Sequence, residues 1–246
     1  SELPNRTVDI AFPVMVEEDG KYSFTKTRHP FISVYFPTET ESKLDFIAQG
    51  PYRTTPNRSS VPSDNKDNIE LAELTAKLLY DSILELKEAG KLSFSLLRLL
   101  PIDKDRFENY PLFSSLYRST KALLTNKAVL PCKSGGFTTA EHAKIARSQE
   151  LADLLDDYLL TELINDDKAY YWLPTILTET NKPYKKLYEF LTSDLDIDVI
   201  RPENLRSYIN ENTEFLKRRD NQWLIRMYSL YESIPAAFVK NRQGSN

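Results

Sequence analysis

With 246 residues, 41% of them hydrophobic, the chain is long and apolar enough to bury one large core or two modest ones, which excludes a disordered protein. Its 36 acidic and 32 basic side chains give a net charge of -4 and form no basic stripe or tail, which argues against a nucleic-acid partner. One cysteine, Cys132, excludes an internal disulfide framework, and the absence of a membrane-spanning apolar run or a signal peptide predicts a cytoplasmic protein with no membrane partner.

The first 50 residues predict a mostly antiparallel sheet of about four strands. The first strand pattern covers residues 8–12 and the run before Asp19-Gly20, the second is the run after that turn, and the third and fourth are residues 31–37 and 44–48. Asp19-Gly20 is a strong hairpin signal, and Pro37 would end the third pattern before a polar turn over residues 39–43. Because the first strand pattern begins so close to Ser1, we expect the chain to be an excised piece of a longer protein.

A long amphipathic helix is predicted to begin near residue 64. Its apolar positions recur at helical spacing and are Leu71, Leu74, Leu78, Ile83 and Leu86. Asp64 or Asn65 can cap its first turn, and Gly90 is placed to end it. The change of hydrophobic period from two to 3.6 residues therefore separates a sheet region, residues 1–65, from a mainly helical remainder.

The remainder predicts shorter helices and little strand. Helical patterns cover residues 112–124, a segment after the capping-box pair Thr138 and Glu141, and residues 184–191, 204–216 and 222–231. His142 would lie in the first turn of the second of these helices. The fold class is therefore α+β, with a helical region over residues 66–170 packed on the sheet and a small helical region over residues 171–246.

Most familiar chemistries lack their residues in this sequence. The six glycines form no phosphate loop, and His29, His142 and Cys132 have neither the number nor the spacing of a metal site, so no metal is predicted. No G-x-S-x-G turn marks a nucleophile. The carboxylate pairs Asp156-Asp157 and Asp166-Asp167 are more typical of helix ends, and Lys217-Arg218-Arg219 is better explained as a positive helix C-terminus than as an anion site.

The segment FIAQGPYRTTPNRSSVP, residues 46–62, raises a separate question. Gly50 and Pro51 break the strand, Pro56 and Pro62 restrict the flexibility of the segment, and hydroxyl side chains can bind its backbone, so a held loop is predicted between a strand and the long helix. It carries two arginines, Arg53 and Arg58, whose planar donor groups suit phosphate or carboxylate. They could complete a phosphate site from outside it, or pair with carboxylates such as Asp45 or Asp64 and fasten the sheet to the helix.

The same segment resembles a stretch of the large bacterial proteins related to sacsin, where it follows a GHKL-type ATP-binding domain like that of the ninety-kilodalton heat-shock chaperone. The resemblance covers residues 31–80 most specifically and continues through LLP near residue 100 and AEHAKIAR near residue 145. The positions that carry it are Gln49, Gly50, Tyr52, Thr54, Thr55, Asn57 and Arg58.

In that chaperone a comparable loop offers an arginine to the terminal phosphate of ATP bound in the preceding domain. The resemblance implies this role for Arg58, with Arg53 as a second candidate, although Pro56 and Ser59 stand where the chaperone loop has leucine and glutamate. It also implies Mg-ATP in a GHKL domain before residue 1, no cofactor in this chain, and no ATP hydrolysis by the chain alone. The implied partners are that domain and a protein client or a second copy of the chain.

Two other functions are compatible with the sequence. One is a free-standing interaction or scaffold module, in which a helical face with Trp172, Trp223 and some of the tyrosines docks a partner and no nucleotide is involved. The other is an enzyme whose site is assembled from distant residues. Solvent-facing arginines would favour the nucleotide role, whereas arginines tied into internal ion pairs beside an exposed apolar groove would favour the interaction module.

Overall fold

A computed structural model describes residues 7–16, 18, 22–108 and 110–232, and it confirms the α+β class. In chain order the elements are β1 (Asp9–Ala11), β2 (Val14–Val16), β3 (Tyr22–Phe24), β4 (Phe31–Val34), β5 (Phe36–Glu41), β6 (Ile47–Gln49), α1 (Lys66–Glu88), α2 (Phe94–Leu97), α3 (Lys104–Phe107), α4 (Ser114–Asn126), β7 (Leu130–Pro131), β8 (Phe137–Thr138), β9 (Ala143–Ala146), α5 (Gln149–Leu154), α6 (Asp157–Ile164), β10 (Tyr171–Trp172), α7 (Lys185–Ser193), β11 (Val199–Ile200), α8 (Pro202–Glu211), α9 (Glu214–Lys217) and α10 (Asn221–Glu232). None of the helices within the described ranges is long and apolar enough to cross a membrane.

Four of the N-terminal strands form one sheet in the order β1-β6-β4-β5. The outer pairs are antiparallel and β4 runs parallel to β6, so the predicted antiparallel character is mostly present. Strands β2 and β3 form the predicted antiparallel hairpin, while its turn, Asp19-Gly20, lies outside the described residues. The N-terminal region therefore contains more and shorter strands than the sequence predicted.

The strand predicted over residues 31–37 is in fact two strands. Tyr35 adopts a left-handed backbone with φ of 61° and turns the chain from β4 into β5. Three of the five polar residues expected to form a turn, residues 39–41, therefore belong to β5, which is an edge strand of the sheet. An edge strand tolerates a proline such as Pro37 and needs no apolar face. The polar sequence of β5 therefore resembled a turn. Of the strand predicted over residues 44–48, only residues 47 and 48 are in a strand, as the first two residues of β6.

Helix α1 confirms both predicted ends. The side chain of Asn65 accepts a hydrogen bond from the backbone N–H of Asn68 (3.2 Å), and Gly90 follows the helix with φ of 68°. The buried face was only partly predicted, because Leu74 is 38% exposed and Thr75 is buried in its place. Helix α4 packs against α1 and buries the apolar face that its sequence predicts.

The helix predicted after Thr138 and Glu141 is wrong. Residues 143–146 form β9, His142 lies in the turn before that strand, and α5 begins only at Gln149, capped by Ser148. Strand β9 is the centre of a parallel sheet with the order β10-β9-β11, and all four of its residues are buried. A short strand covered on both faces has no alternation of apolar and polar residues, so its sequence cannot be distinguished from a buried helical turn.

This parallel sheet separates two buried clusters. One face contacts the first cluster, which contains the N-terminal sheet, α1, α4 and α7, and the opposite face contacts the second, which contains α5, α6 and α8 to α10. Neighbouring residues of one strand belong to different clusters, as Ile145 and Ala146 do in β9 and Val199 and Ile200 in β11. The predicted division at residues 65 and 170 stays a prediction.

Candidate functional site

The loop over residues 49–62 begins where β6 ends, and its first turn requires glycine. A Cβ atom at Gly50 would lie 3.0 Å from Cγ1 of Val8 and 3.2 Å from Cε2 of Tyr52. The backbone N–H of Gly50 donates to the carbonyl of Ser33 (3.1 Å), so the start of the loop is tied to β4, while the half-buried Gln49 still pairs within the sheet. The loop therefore leaves the sheet at a point that no larger residue would fit without displacing its neighbours.

Tyr52 anchors the first limb of the loop in the core. Its ring is 3% exposed and meets Phe113 edge to face, and its hydroxyl lies 3.2 Å from Oγ1 of Thr75 on α1. Because the Thr75 hydroxyl donates to the carbonyl of Leu71 (2.8 Å), Tyr52 acts as the donor to Thr75. Burial raises the pKa of Tyr52 to about 12, so the phenol is neutral at physiological pH.

Asn68, in the first turn of α1, holds both limbs of the loop. Its Oδ1 accepts from the backbone N–H of Arg53 (2.6 Å), and its Nδ2 donates to the carbonyls of Arg53 (3.0 Å) and Pro62 (2.9 Å). The side chain is completely buried, so these bonds have no competition from water. One amide therefore fixes the distance between the two ends of the arginine-bearing segment.

The tip of the loop is a network of hydrogen bonds. The N–H of Arg58 donates to the carbonyl of Thr55 (2.8 Å), which closes a turn with Pro56 in its second position. Oδ1 of Asn57 accepts from the hydroxyls of Thr55 (2.6 Å) and Ser59 (2.9 Å). The tip is also joined to β5, because the N–H of Glu39 donates to the carbonyl of Ser59 (2.8 Å). Of the predicted loop-shaping residues, only Thr54 makes no hydrogen bond within the described part of the chain.

The side chain of Arg58 takes no part in this network. Its backbone is left-handed, with φ of 59°, a conformation that costs a non-glycine residue on the order of 1 kcal/mol or more. Its side chain is exposed, and its guanidinium has neither an ion pair nor a hydrogen bond with any described residue. The loop thus holds a strained residue in place and leaves its charged group free for a ligand.

Arg53 is placed differently. Its Nε lies 3.1 Å from Oδ2 of Asp67 on α1, and the pair is partly exposed. The carboxylates named as possible partners from the sequence are not involved, since Asp45 pairs with Lys26 (2.7 Å) and Arg106 (3.6 Å) instead. Arg53 therefore helps to fasten the loop to α1, while its two terminal nitrogens have no partner among the described residues.

The other candidate groups are accounted for structurally. Asp156 caps α6, and Asp166 accepts from the Tyr170 hydroxyl (2.5 Å), which lowers the pKa of that carboxyl. Burial raises the pKa of the Cys132 thiol to about 11, so it is not a thiolate nucleophile at neutral pH. Among the residues that the structure describes, no three His, Cys, Asp or Glu side chains are grouped to hold a metal ion.

The basic run at residues 217–219 and the two tryptophans also have structural roles. Arg218 and Arg219 both pair with Glu162 of α6, and the Arg219 guanidinium carbon lies 4.5 Å from the centre of the Phe215 ring. Trp172 and Trp223 are 1% and 6% exposed, so neither offers a surface to a partner.

Sequence reasoning missed Asn68 and Thr75, the two residues of α1 that hold the loop. A signal was present, because both occur at the helical spacing of the buried leucines Leu71 and Leu79. Two polar residues within an apolar helical face indicate buried hydrogen bonds to another part of the chain.

Compared with protein-family models, with curated proteins and with solved structures, the chain matches none of them.

Proposed function

We propose that this chain is the middle, transducer-like segment of a chaperone-type ATPase of the bacterial sacsin-like kind. In this role, the loop over residues 49–62 reports the nucleotide state of a preceding GHKL domain to the helical part of the chain. Mg-ATP would be held in that preceding domain, and the whole protein would act in the cytoplasm. The observation that carries the proposal is the free guanidinium of Arg58 on a hydrogen-bonded loop.

The chemistry of such a role is electrostatic. An arginine supplied by one domain to a nucleotide bound in another stabilises the negative charge that develops on the transferred phosphoryl group. A guanidinium already paired within its own chain would have to break that pair first, whereas Arg58 forms no such pair with any described residue. Rigid placement adds to the effect, because an ordered loop loses little conformational freedom when the phosphate is bound.

Arg53 has a secondary place in this proposal. Its pair with Asp67 orients the side chain at the base of the loop, and its terminal nitrogens can still donate to an anion. We therefore expect Arg53 to position the loop against α1 and Arg58 to contact the phosphate.

The test is ATP turnover by the polypeptide extended upstream through its ATP-binding domain. Arg58→Ala should lower turnover roughly 10- to 1,000-fold with ATP binding retained, and Arg53→Ala should lower it less. Arg206→Ala, which removes an exposed arginine from α8, is the matched control and should turn over ATP like the wild type. Equal turnover in the Arg58 and Arg206 variants, or an upstream sequence without GHKL motifs, would rule the proposal out.

A second candidate, the interaction module, is favoured by one feature. Tyr35 and Phe36, at the turn between β4 and β5, are 81% and 79% exposed. Two adjacent exposed aromatic rings are typical of a contact with another protein, either a client or a second copy of the chain. If turnover is unaffected by Arg58→Ala while a Tyr35→Ser, Phe36→Ser double variant abolishes self-association in light scattering, this second function replaces the first.

A further inference from the structure

A basic cavity lies between the N-terminal strands, the segment from α2 to α3, and the start of α7. Its volume is about 190 Å³. Six cationic side chains line it, and these are Lys26, Lys43, Arg98, Arg106, Lys182 and Lys186. Of the described residues, only two carboxylates, Asp45 and Asp103, accompany them. In a chain that has more acidic than basic residues overall, this local excess of positive charge is not a consequence of composition.

The two carboxylates pair with only three of these six cations and neutralise two of the six positive charges. Asp45 pairs with Lys26 (2.7 Å) and Arg106 (3.6 Å), and Asp103 pairs with Lys186. Their partners keep the Asp103 carboxylate charged, because the hydrogen bonds from Lys186 and from the Arg106 backbone lower its pKa more than burial raises it. Lys43, Arg98 and Lys182 have no carboxylate partner within the described ranges.

Arg98 gives the strongest indication of a missing ligand. One terminal nitrogen donates to the carbonyl of Phe24 (3.3 Å), and the guanidinium carbon lies 5.3 Å from the centre of the Tyr184 ring. Its Nε is buried and has no hydrogen-bond partner among the described residues. Nε has almost no accessible surface and cannot meet a ligand, but the second terminal nitrogen also has no partner among the described residues, and an anion in the cavity would supply its acceptor.

The surroundings of the cavity strengthen its attraction for an anion. Leu99, Ile102, Phe107 and Leu187 line its inner wall with apolar surface, and each is 5% exposed or less, while several of its lysines reach solvent. Helix α7 starts at the cavity wall with no acidic residue and no capping side chain in its first turn. The positive end of its dipole therefore adds to the field of the cations.

We propose that this cavity binds the phosphate group of a small molecule. Three uncompensated cations match a multivalent anion better than a single carboxylate, and the arginine donor fork suits phosphate oxygens. The cavity is smaller than the about 300–1,000 Å³ of a pocket that encloses a drug-sized ligand, so it takes free phosphate or the phosphate end of a larger molecule. The site is separate from Arg58 and does not depend on the proposed ATPase role.

The test is calorimetric titration of the 246-residue chain at constant ionic strength with inorganic phosphate, pyrophosphate, ATP and malonate. We expect phosphate and pyrophosphate to bind, and Arg98→Met and Lys182→Met each to weaken that binding by about tenfold or more. Lys182 is exposed, so its variant should fold normally even if Arg98→Met does not. Lys77→Met, an exposed lysine of α1, controls for the loss of one charge and should bind like the wild type.

The titrations with different ligands distinguish the possible sources of the phosphate. ATP binding that disappears in the Arg98 and Lys182 variants identifies a nucleotide, and phosphate binding without ATP binding identifies a free anion or a smaller phosphoester. Arg58→Ala tests whether the phosphate binds at the arginine-bearing loop instead of in the cavity. The proposal is overturned if phosphate and pyrophosphate do not bind at millimolar concentrations, if malonate binds as tightly, or if only Arg58→Ala loses binding.

Discussion

Single side chains, more than secondary structure, determine the path of the chain between residues 50 and 62. Gly50 allows the backbone to pass close to Val8, and Asn68 supplies both donors and an acceptor to the two limbs of the loop. Arg58 then occupies a left-handed conformation that the surrounding hydrogen bonds maintain. At this scale the structure accounts for why the arginine-bearing loop is held, which its hydroxyls and prolines had already predicted.

We expect Asn68→Ala to lower the free energy of unfolding by about 1–3 kcal/mol, because it leaves the Arg53 N–H and two loop carbonyls without partners. Urea unfolding measures the change. Asn126→Ala removes an exposed amide that bonds only within its own helix and should stay within about 0.5 kcal/mol of wild type. Similar values for the two variants would mean that Asn68 does not hold the loop.

Helix α1 and the sheet meet through a polar contact inside an apolar interface. The Tyr52 ring packs on Phe113 while its hydroxyl reaches Thr75, so the loop and the helix share one buried hydrogen bond. The wrong helix prediction at β9 has a similar cause. There too the neighbours that cover both faces, and not the local sequence pattern, determined the secondary structure. Elements with one solvent-exposed face, such as α4, were predicted well.

The raised pKa of Tyr52 predicts a loss of stability at alkaline pH. Below its ordinary pKa of 10.0 the phenol is protonated in both the folded and the unfolded chain, so its contribution is complete. As the pH rises from there towards about 12, the unfolded chain ionises first, and the contribution falls by up to roughly 2–3 kcal/mol.

Tyr52→Phe isolates this effect. Near neutral pH the variant should be about 1 kcal/mol less stable than wild type, because the bond to Thr75 is lost. Above about pH 11 the order should reverse, since phenylalanine has no proton to lose. Urea unfolding across this range measures both values. Tyr158→Phe, which removes a 71% exposed phenol, should follow the wild-type profile, and a wild-type protein that remains the more stable at every pH would contradict the assignment.

At the scale of the whole molecule, the parallel sheet β10-β9-β11 joins the two buried clusters. Strands β9 and β11 contribute adjacent residues to opposite clusters, so unfolding of either cluster would expose residues of the other. The chain also returns to the first cluster at α7 after building α5 and α6 of the second. This connectivity favours one cooperative unit over two independent domains.

We therefore expect a single unfolding transition. The chain has two tryptophans and both lie in the second cluster, so their fluorescence reports on that cluster, while far-ultraviolet circular dichroism reports on all helices. The two signals should give the same urea midpoint. Leu205→Ala in the second cluster should lower both midpoints together, at a cost of about 2–5 kcal/mol. A tryptophan transition that moves away from the circular dichroism transition would show that the clusters unfold separately.

Sequence alone determined the features that depend on local chemistry. The ends of α1, the buried face of α4 and the restrained character of the loop follow from capping residues, period and turn residues, all of which act over a few neighbouring positions. The presence of two arginines on that loop was visible at once, as was the lack of a metal or nucleotide motif.

Only the tertiary structure decided which charges are free and which are paired. Arg53 and Arg58 look equivalent in sequence, yet Asp67 lies beside one and no described carboxylate beside the other. The basic cavity draws Lys43, Arg98 and Lys182 from three distant segments, and β9 is a strand only because neighbours cover both of its faces. Ion pairing and burial depend on residues that are far apart in the sequence, so a local sequence pattern does not predict them.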